Sequence, residues 1–248
     1  MITLIGTGHV FNLTQSLYAI LDDTQPEVVC VELDRQRYQA LLMKQQEQSP
    51  QKKPRNVPFI YRLLARFQES MADEYGVIPG SEMLAAVEYA NTHQLPVELI
   101  DMNAQRLFTS MWKSMTLRER FRLFLSGFGG LFVSKQRVEA ELKNYQDDIS
   151  GYLDEIGKKF PTIKKVLIDD RNEFMVTRLA LLTERFETIV ACVGDGHVPG
   201  MEALLKEKNI EVSSIGLEEL RHVETEEKDA SSASFSTRYT SDDFSGYQ

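Results

Sequence analysis

Cysteine is scarce in this sequence: Cys30 and Cys192 are the only two in 248 residues. Both sit in apolar, strand-like runs, VVCVEL and VACVGD. That excludes a disulfide framework and reads as two small buried hydrophobes in a reducing compartment. A bridge between them would require their two strands to be neighbours. Positive charge is also short. The 28 Lys and Arg are outnumbered by 37 Asp and Glu, leaving a formal net charge of −9. This argues against a nucleic-acid partner, which needs a basic footprint. Long apolar runs are missing too, since no window approaches the roughly 18 apolar residues of a spanning helix. The nearest stretch, FRLFLSGFGGLFV over 121–133, carries Arg122 and three glycines and reads as a buried helix and turn. No signal-peptide pattern opens the chain, so the expectation is a cytoplasmic protein with no transmembrane segment.

What is present is an alternation. Short runs rich in β-branched residues recur at Ile2–Ile5, Val28–Leu33, Pro96–Ile100, Thr188–Val193 and Glu211–Ile215. Helical patterns separate them. Leu13–Leu21 is one, with Asn12 as its expected cap. Ser81–His93 follows Pro79-Gly80, and Asp170–Phe186 repeats its apolar residues at spacings of three and four. Strand and helix in alternation predict an α/β fold with a mainly parallel sheet flanked by helices. The polar, proline-punctuated QQEQSPQKKPRNVP reads as a mobile connection. Residues 102–165 read as a helical insertion between the third and fourth strands. Residues 1–223 then form the α/β domain, and the acidic, serine-rich 224–248 reads as a disordered tail.

Histidine occurs four times, and two of the four share a setting. ITLIGTGHV and TIVACVGDGHVPG both place G-x-x-H after an apolar strand, giving His9 and His197. In an open parallel sheet, ligands bind beyond the carboxyl ends of the strands. Neighbouring strands would therefore bring both histidines to one site. The run VVCVELD sets Glu32, with Asp34, at a third such end, and Asp101 closes the run before MN.

Two imidazoles and a carboxylate make the shell of a hydrolytic divalent metal site. The same three residues could equally work without metal, one histidine as base and Glu32 orienting it. Glu82 stands in a helix's first turn, where an acid also favours the dipole. Arg171 could stabilise an oxyanion, or simply pair with Asp169 or Glu173. Met71, Met83, Met111 and Met115 read as core fillers. Neither glycine loop matches a phosphate-binding pattern.

Six segments in one order, GTGHV, PEVVCVELDRQRY, IPGSEMLAAVEYA, VELIDMN, DDRNEFMVTRL and VACVGDGHVPGM, carry a resemblance to the TraB family. That family is known for pheromone-shutdown proteins and is grouped with TIKI proteases and erythromycin-esterase-like proteins. The resemblance covers Ile2 to Leu220. It implies an α/β fold whose active site uses the two G-x-x-H histidines, a glutamate and an arginine. On this chain those are His9, His197, Glu32 and Arg171, with Glu82 as a further acid.

It also implies a metal-dependent hydrolase or peptidase acting on a small peptide or other amide or ester; the ion expected is a divalent metal, one of Zn, Mn or Co. A non-catalytic peptide- or partner-binding protein using the same cleft is the alternative, and a homo-oligomer is compatible with either. The chain departs from the family pattern at Phe11, Leu84 and Met102, the first and last of which bear on substrate contacts. Many family members carry C-terminal transmembrane helices, whereas this chain ends in a polar stretch.

Overall fold

A computed structural model describes residues 1–8, 13–45, 81–122 and 157–220. His9, Phe11, Asn12, Met71, Pro79, Gly80, the connection beyond Gln45, residues 123–156 of the expected insertion and the tail lie outside the described residues.

The expected strands form one five-stranded parallel sheet in the order β3-β2-β4-β1-β5. They are β1 (Ile2–Thr7), β2 (Val28–Val31), β3 (Val97–Leu99), β4 (Ile189–Gly194) and β5 (Val212–Ile215). The helices are α1 (Thr14–Thr24), α2 (Arg35–Gln45), α3 (Ser81–Thr92), α4 (Ala104–Ser114), α5 (Pro161–Lys164), α6 (Asp170–Leu182) and α7 (Val198–Glu207). A π-helical turn, Lys165–Asp169, joins α5 to α6, and a 3-10 turn, Asp195–His197, joins β4 to α7.

The three inner strands are buried almost throughout, as parallel strands covered on both faces must be. Alternate residues feed two cores. Val190 and Cys192 join Ile5, Val29 and Val31 in the layer containing Leu17 of α1 and Ala86 of α3. Ile189, Ala191 and Val193 join Leu4 and Cys30 in the layer containing Met175 of α6 and Met201 of α7. Cys30 and Cys192 therefore face opposite sides of the sheet and stay unbridged, although their strands are neighbours. Burial pushes both thiols up, Cys192 to about 12.

Two boundaries differ from expectation. The N-cap of α1 is Leu13, which makes no side-chain capping bond, rather than Asn12. Helix α6 stops at Leu182, because Thr183 to Arg185 turn to enter β4 and Arg185 N bonds Leu182 O at 2.9 Å.

Beyond β3, α4 buries Leu107 and Met111 against Val166 of the π-turn, and Met83, Met111 and Met115 are core residues as expected. Residues 117–122 form a helical turn opened by a capping box. Glu119 N donates to Thr116 Oγ1 (3.2 Å), and Thr116 N donates to Glu119 Oε2 (2.9 Å). Glu119 also accepts from Thr162 N and Thr162 Oγ1, both at 2.9 Å, so one carboxylate joins both described stems of the segment. Among the described residues no helix is long and apolar enough to cross a membrane.

Candidate functional site

The two glycine-rich turns lie on adjacent parallel strands, with Thr7 the register partner of Gly194 and Gly6 of Val193. The motifs are thus offset by one residue. Both lie at the carboxyl ends, near the place where the winding of the sheet reverses direction, the usual crevice of an open α/β sheet. Gly6 is required there because a Cβ on it would stand 2.3 Å from Asp195 Oδ1. Asp195 Oδ1 in turn accepts from Leu217 N at 2.8 Å, fastening the segment after β5 over this edge. The 3-10 turn after β4 carries His197 inward, where it is 4 % exposed.

Glu32 follows β2, and its N–H prolongs the ladder to Cys192 O at 3.0 Å. Its Oε2 accepts from Gly194 N at 2.6 Å, and a Cβ on Gly194 would come within 3.3 Å of that oxygen. Its Oε1 pairs with Arg171 Nη2 and lies 3.6 Å from His197 Nε2. Burial works to raise this carboxyl, but the Arg171 charge, aided by the Gly194 N–H, holds it below its ordinary value.

Arg171 does not pair with the acids beside it in sequence. The π-turn ahead of α6 sets it at the helix start, where Nε donates to Asp101 Oδ1 (3.0 Å), Nη2 to Asp101 Oδ2 (2.6 Å) and Nη1 to Leu167 O (3.2 Å). Its side chain is 12 % exposed, and its flanking carboxylates outweigh burial and hold it charged. Asp101 Oδ2 also takes Arg37, and Asp101 Oδ1 takes Met102 N at 2.7 Å. Burial alone would raise the Asp101 carboxyl, but the bonds from Arg171 hold it low.

Asp34 serves a different purpose. Its carboxylate accepts from Gln36 N (2.8 Å), Arg37 Nε (2.8 Å) and Ala104 N (3.3 Å), capping the starts of α2 and α4. Glu82 is buried in the first turn of α3 beneath β4, where its charge adds to the burial that raises the Cys192 thiol.

One site residue escaped the sequence reading. Asn172, 3 % exposed, holds its Oδ1 2.6 Å from His197 Nδ1. The signal was present, because Asn172, Met175, Val176 and Leu179 share the buried stripe of α6. A polar residue on an apolar stripe needs a partner.

The donor types here suit a divalent cation. His197 is kept neutral, its pKa lowered first by burial, and its Nε2 faces a carboxylate oxygen. Glu32, Asp34 and Asp101 against Arg37 and Arg171 leave one formal negative charge in the cluster. Among the described residues, however, no three His, Cys, Asp or Glu side chains converge as a metal shell. Only His197 and Glu32 of the expected three ligands are described, and Arg171 shares the Glu32 oxygen that a cation would use.

A family model described as the TraB/PrgY/gumN family matches residues 1–214. A relative from Methanocaldococcus jannaschii, the uncharacterized protein MJ1365, is 32 % identical over 219 residues, covering 83 % of this chain and 53 % of that protein. The chain thus spans about half the length of the curated relative it matches.

Proposed function

Because this chain belongs to the TraB/PrgY/gumN family, we propose that it is a hydrolase of a small peptide or other amide or ester bond, worked from the edge where His197, Glu32 and Arg171 meet. The observation that carries this reading is the 3.6 Å approach of the buried, neutral His197 Nε2 to the ionised Glu32 Oε1. His197 and Glu32, with His9, would hold a divalent ion, Zn, Mn or Co, which supplies Lewis acidity toward a scissile carbonyl.

Glu32 is fully ionised at neutral pH and too weakly basic for an effective general base, so its part is to hold negative charge at a fixed place. Arg171 spends four of its five N–H groups on Glu32, Asp101 and Leu167 O. It therefore offers a developing oxyanion chiefly the field of a fixed charge. Glu82 is the reserve acid or base.

The experiment is turnover of a peptide and ester panel by the intact chain, with His197→Ala and Glu32→Gln as controls. Turnover that falls at least about a hundredfold in both variants, the scale of losing a charge-stabilising group, upholds the reading. A folded His197→Ala protein with full turnover overturns it.

One observation favours a second reading, a peptide- or partner-binding protein without catalysis: Arg171 already neutralises the oxygen nearest His197. Peptide capture that survives loss of both His9 and His197, with no turnover in any variant, would select it.

A further inference from the structure

We infer that Asn172 is a positioning residue, which fixes the ring tautomer of His197 so that Nδ1 carries the proton and Nε2 presents its lone pair to Glu32. The inference rests on the reading of His197 as a site residue, but its geometry stands independently. Asn172 enters the first turn of α6 on the buried stripe, directly after Arg171. Its Oδ1 stands 2.6 Å from His197 Nδ1, and both residues are closed to solvent. An amide oxygen can only accept, so the nitrogen facing it must be the one that donates.

The other end of the amide is constrained as well. A Cβ on Gly200 would lie 2.3 Å from Asn172 Nδ2, so the bare backbone of α7 leaves just enough room for the amide in this orientation. Gly200 sits three residues after His197 on the same turn and helix. The imidazole and the space for its partner are therefore built by one short segment, VGDGHVPG.

The consequence lies on the far side of the ring. With Nδ1 protonated, the Nε2 lone pair and Glu32 Oε1 face one another at 3.6 Å. Two electron-rich atoms so placed attract what can sit between them, a divalent cation or a donating water. A second partner that fixes the nitrogen opposite the working one is the usual support of a ligating or proton-accepting histidine. Asn172 supplies it here without adding charge.

The test is the nitrogen spectrum of ring-labelled histidine in the metal-free intact chain, with His197→Ala assigning the signals. The expected wild-type result is a pyrrole-type Nδ1 and a pyridine-type Nε2 for His197. Asn172→Leu, which keeps the bulk and removes the acceptor, is expected to mix the tautomers. It should also weaken binding of zinc alone by roughly ten- to a hundredfold, the cost of losing such a partner. Asn172→Asp restores the acceptor and the tautomer. Gly200→Ala moves Asn172 away and reproduces the Asn172→Leu spectrum without altering either partner, which covers the case in which Asn172→Leu does not fold. A wild-type ring protonated at Nε2, or a tautomer unchanged in folded Asn172→Leu or Gly200→Ala, overturns the inference. If the tautomer is as expected and no substrate is turned over, the role of Asn172 stands and the hydrolase reading falls.

Discussion

Arg171 grips Asp101 with two parallel hydrogen bonds, Nε to Oδ1 at 3.0 Å and Nη2 to Oδ2 at 2.6 Å, across 70 residues of sequence. This fork joins the start of α6 to the end of β3 and, through Glu32, to the end of β2. Removing one partner leaves a guanidinium in a nearly closed setting. Arg171 keeps Glu32 as its counter-charge, so Asp101→Ala should cost roughly 1–3 kcal/mol, read as a lower urea midpoint with an unchanged slope. A loss below about 1 kcal/mol would reduce the fork to a surface-type pair.

Acid should attack the same cluster. Glu32 and Asp101 are held below their ordinary values of 4.5 and 3.8. A depressed carboxyl contributes stability that is complete above its unfolded value and is lost as pH falls through its lower native one. Thermal unfolding followed from pH 7 to pH 2 should show the midpoint steady down to about pH 4.5 and falling below it. In Arg171→Met the midpoint should be lower at neutral pH and the acid limb shallower. Parallel acid limbs in the two proteins would show that Arg171 is not what holds these carboxyls ionised.

Glu119 is expected to act as a clasp away from the chemistry. Its carboxyl, held near 2 by four bonds from Thr116 and Thr162 despite burial, secures the two stems of the segment after α4. Glu119→Gln replaces an acceptor with a donor facing Thr116 and Thr162, at a cost of roughly 1–3 kcal/mol. Hydrogen exchange at Thr162 N–H should accelerate while exchange in β1 and β4 stays slow. Unchanged protection at Thr162 would remove Glu119 from this role.

Gly6→Ala probes the turn after β1. Its Cβ would stand 2.3 Å from Asp195 Oδ1 and 3.1 Å from Val198 Cγ2, so Asp195 must release Leu217 N. A loss of roughly 1–3 kcal/mol is expected, together with faster exchange at Leu217 N–H. A variant as stable as the wild type would mean that Asp195 has room to spare.

The centre of the sheet was legible because β1, β2 and β4 are buried on both faces and read as apolar runs, whereas the edge strands β3 and β5 are only partly buried. The paired G-x-x-H turns marked two strand ends, and it is the sheet order that makes those strands neighbours, with Thr7 paired to Gly194. Glu32 was legible for the same reason, as the first acid after such a run. The partners of Arg171 were not. Sequence offers Asp169 and Glu173 beside it, whereas the fold supplies Asp101 and Glu32, 70 and 139 positions away. Only the topology, which lays α6 over the ends of β2 and β3, selects them. Asn172 was written in the apolar stripe of α6 as its one polar member, and Thr116-Leu117-Arg118-Glu119 as a capping box; both are local signals. Asp34 read as a neighbour of the site, yet its carboxylate is taken up in capping two helices.

Metal content decides most directly between a metal hydrolase and its rivals. The chain would be purified without a histidine tag or added metal and submitted to elemental analysis beside His197→Ala. Close to one divalent ion per wild-type chain, falling at least about tenfold in the variant as expected for a lost ligand, is the predicted result. A wild-type protein that stays metal-free after reconstitution with Zn, Mn and Co, or a variant that keeps its ion, would contradict it.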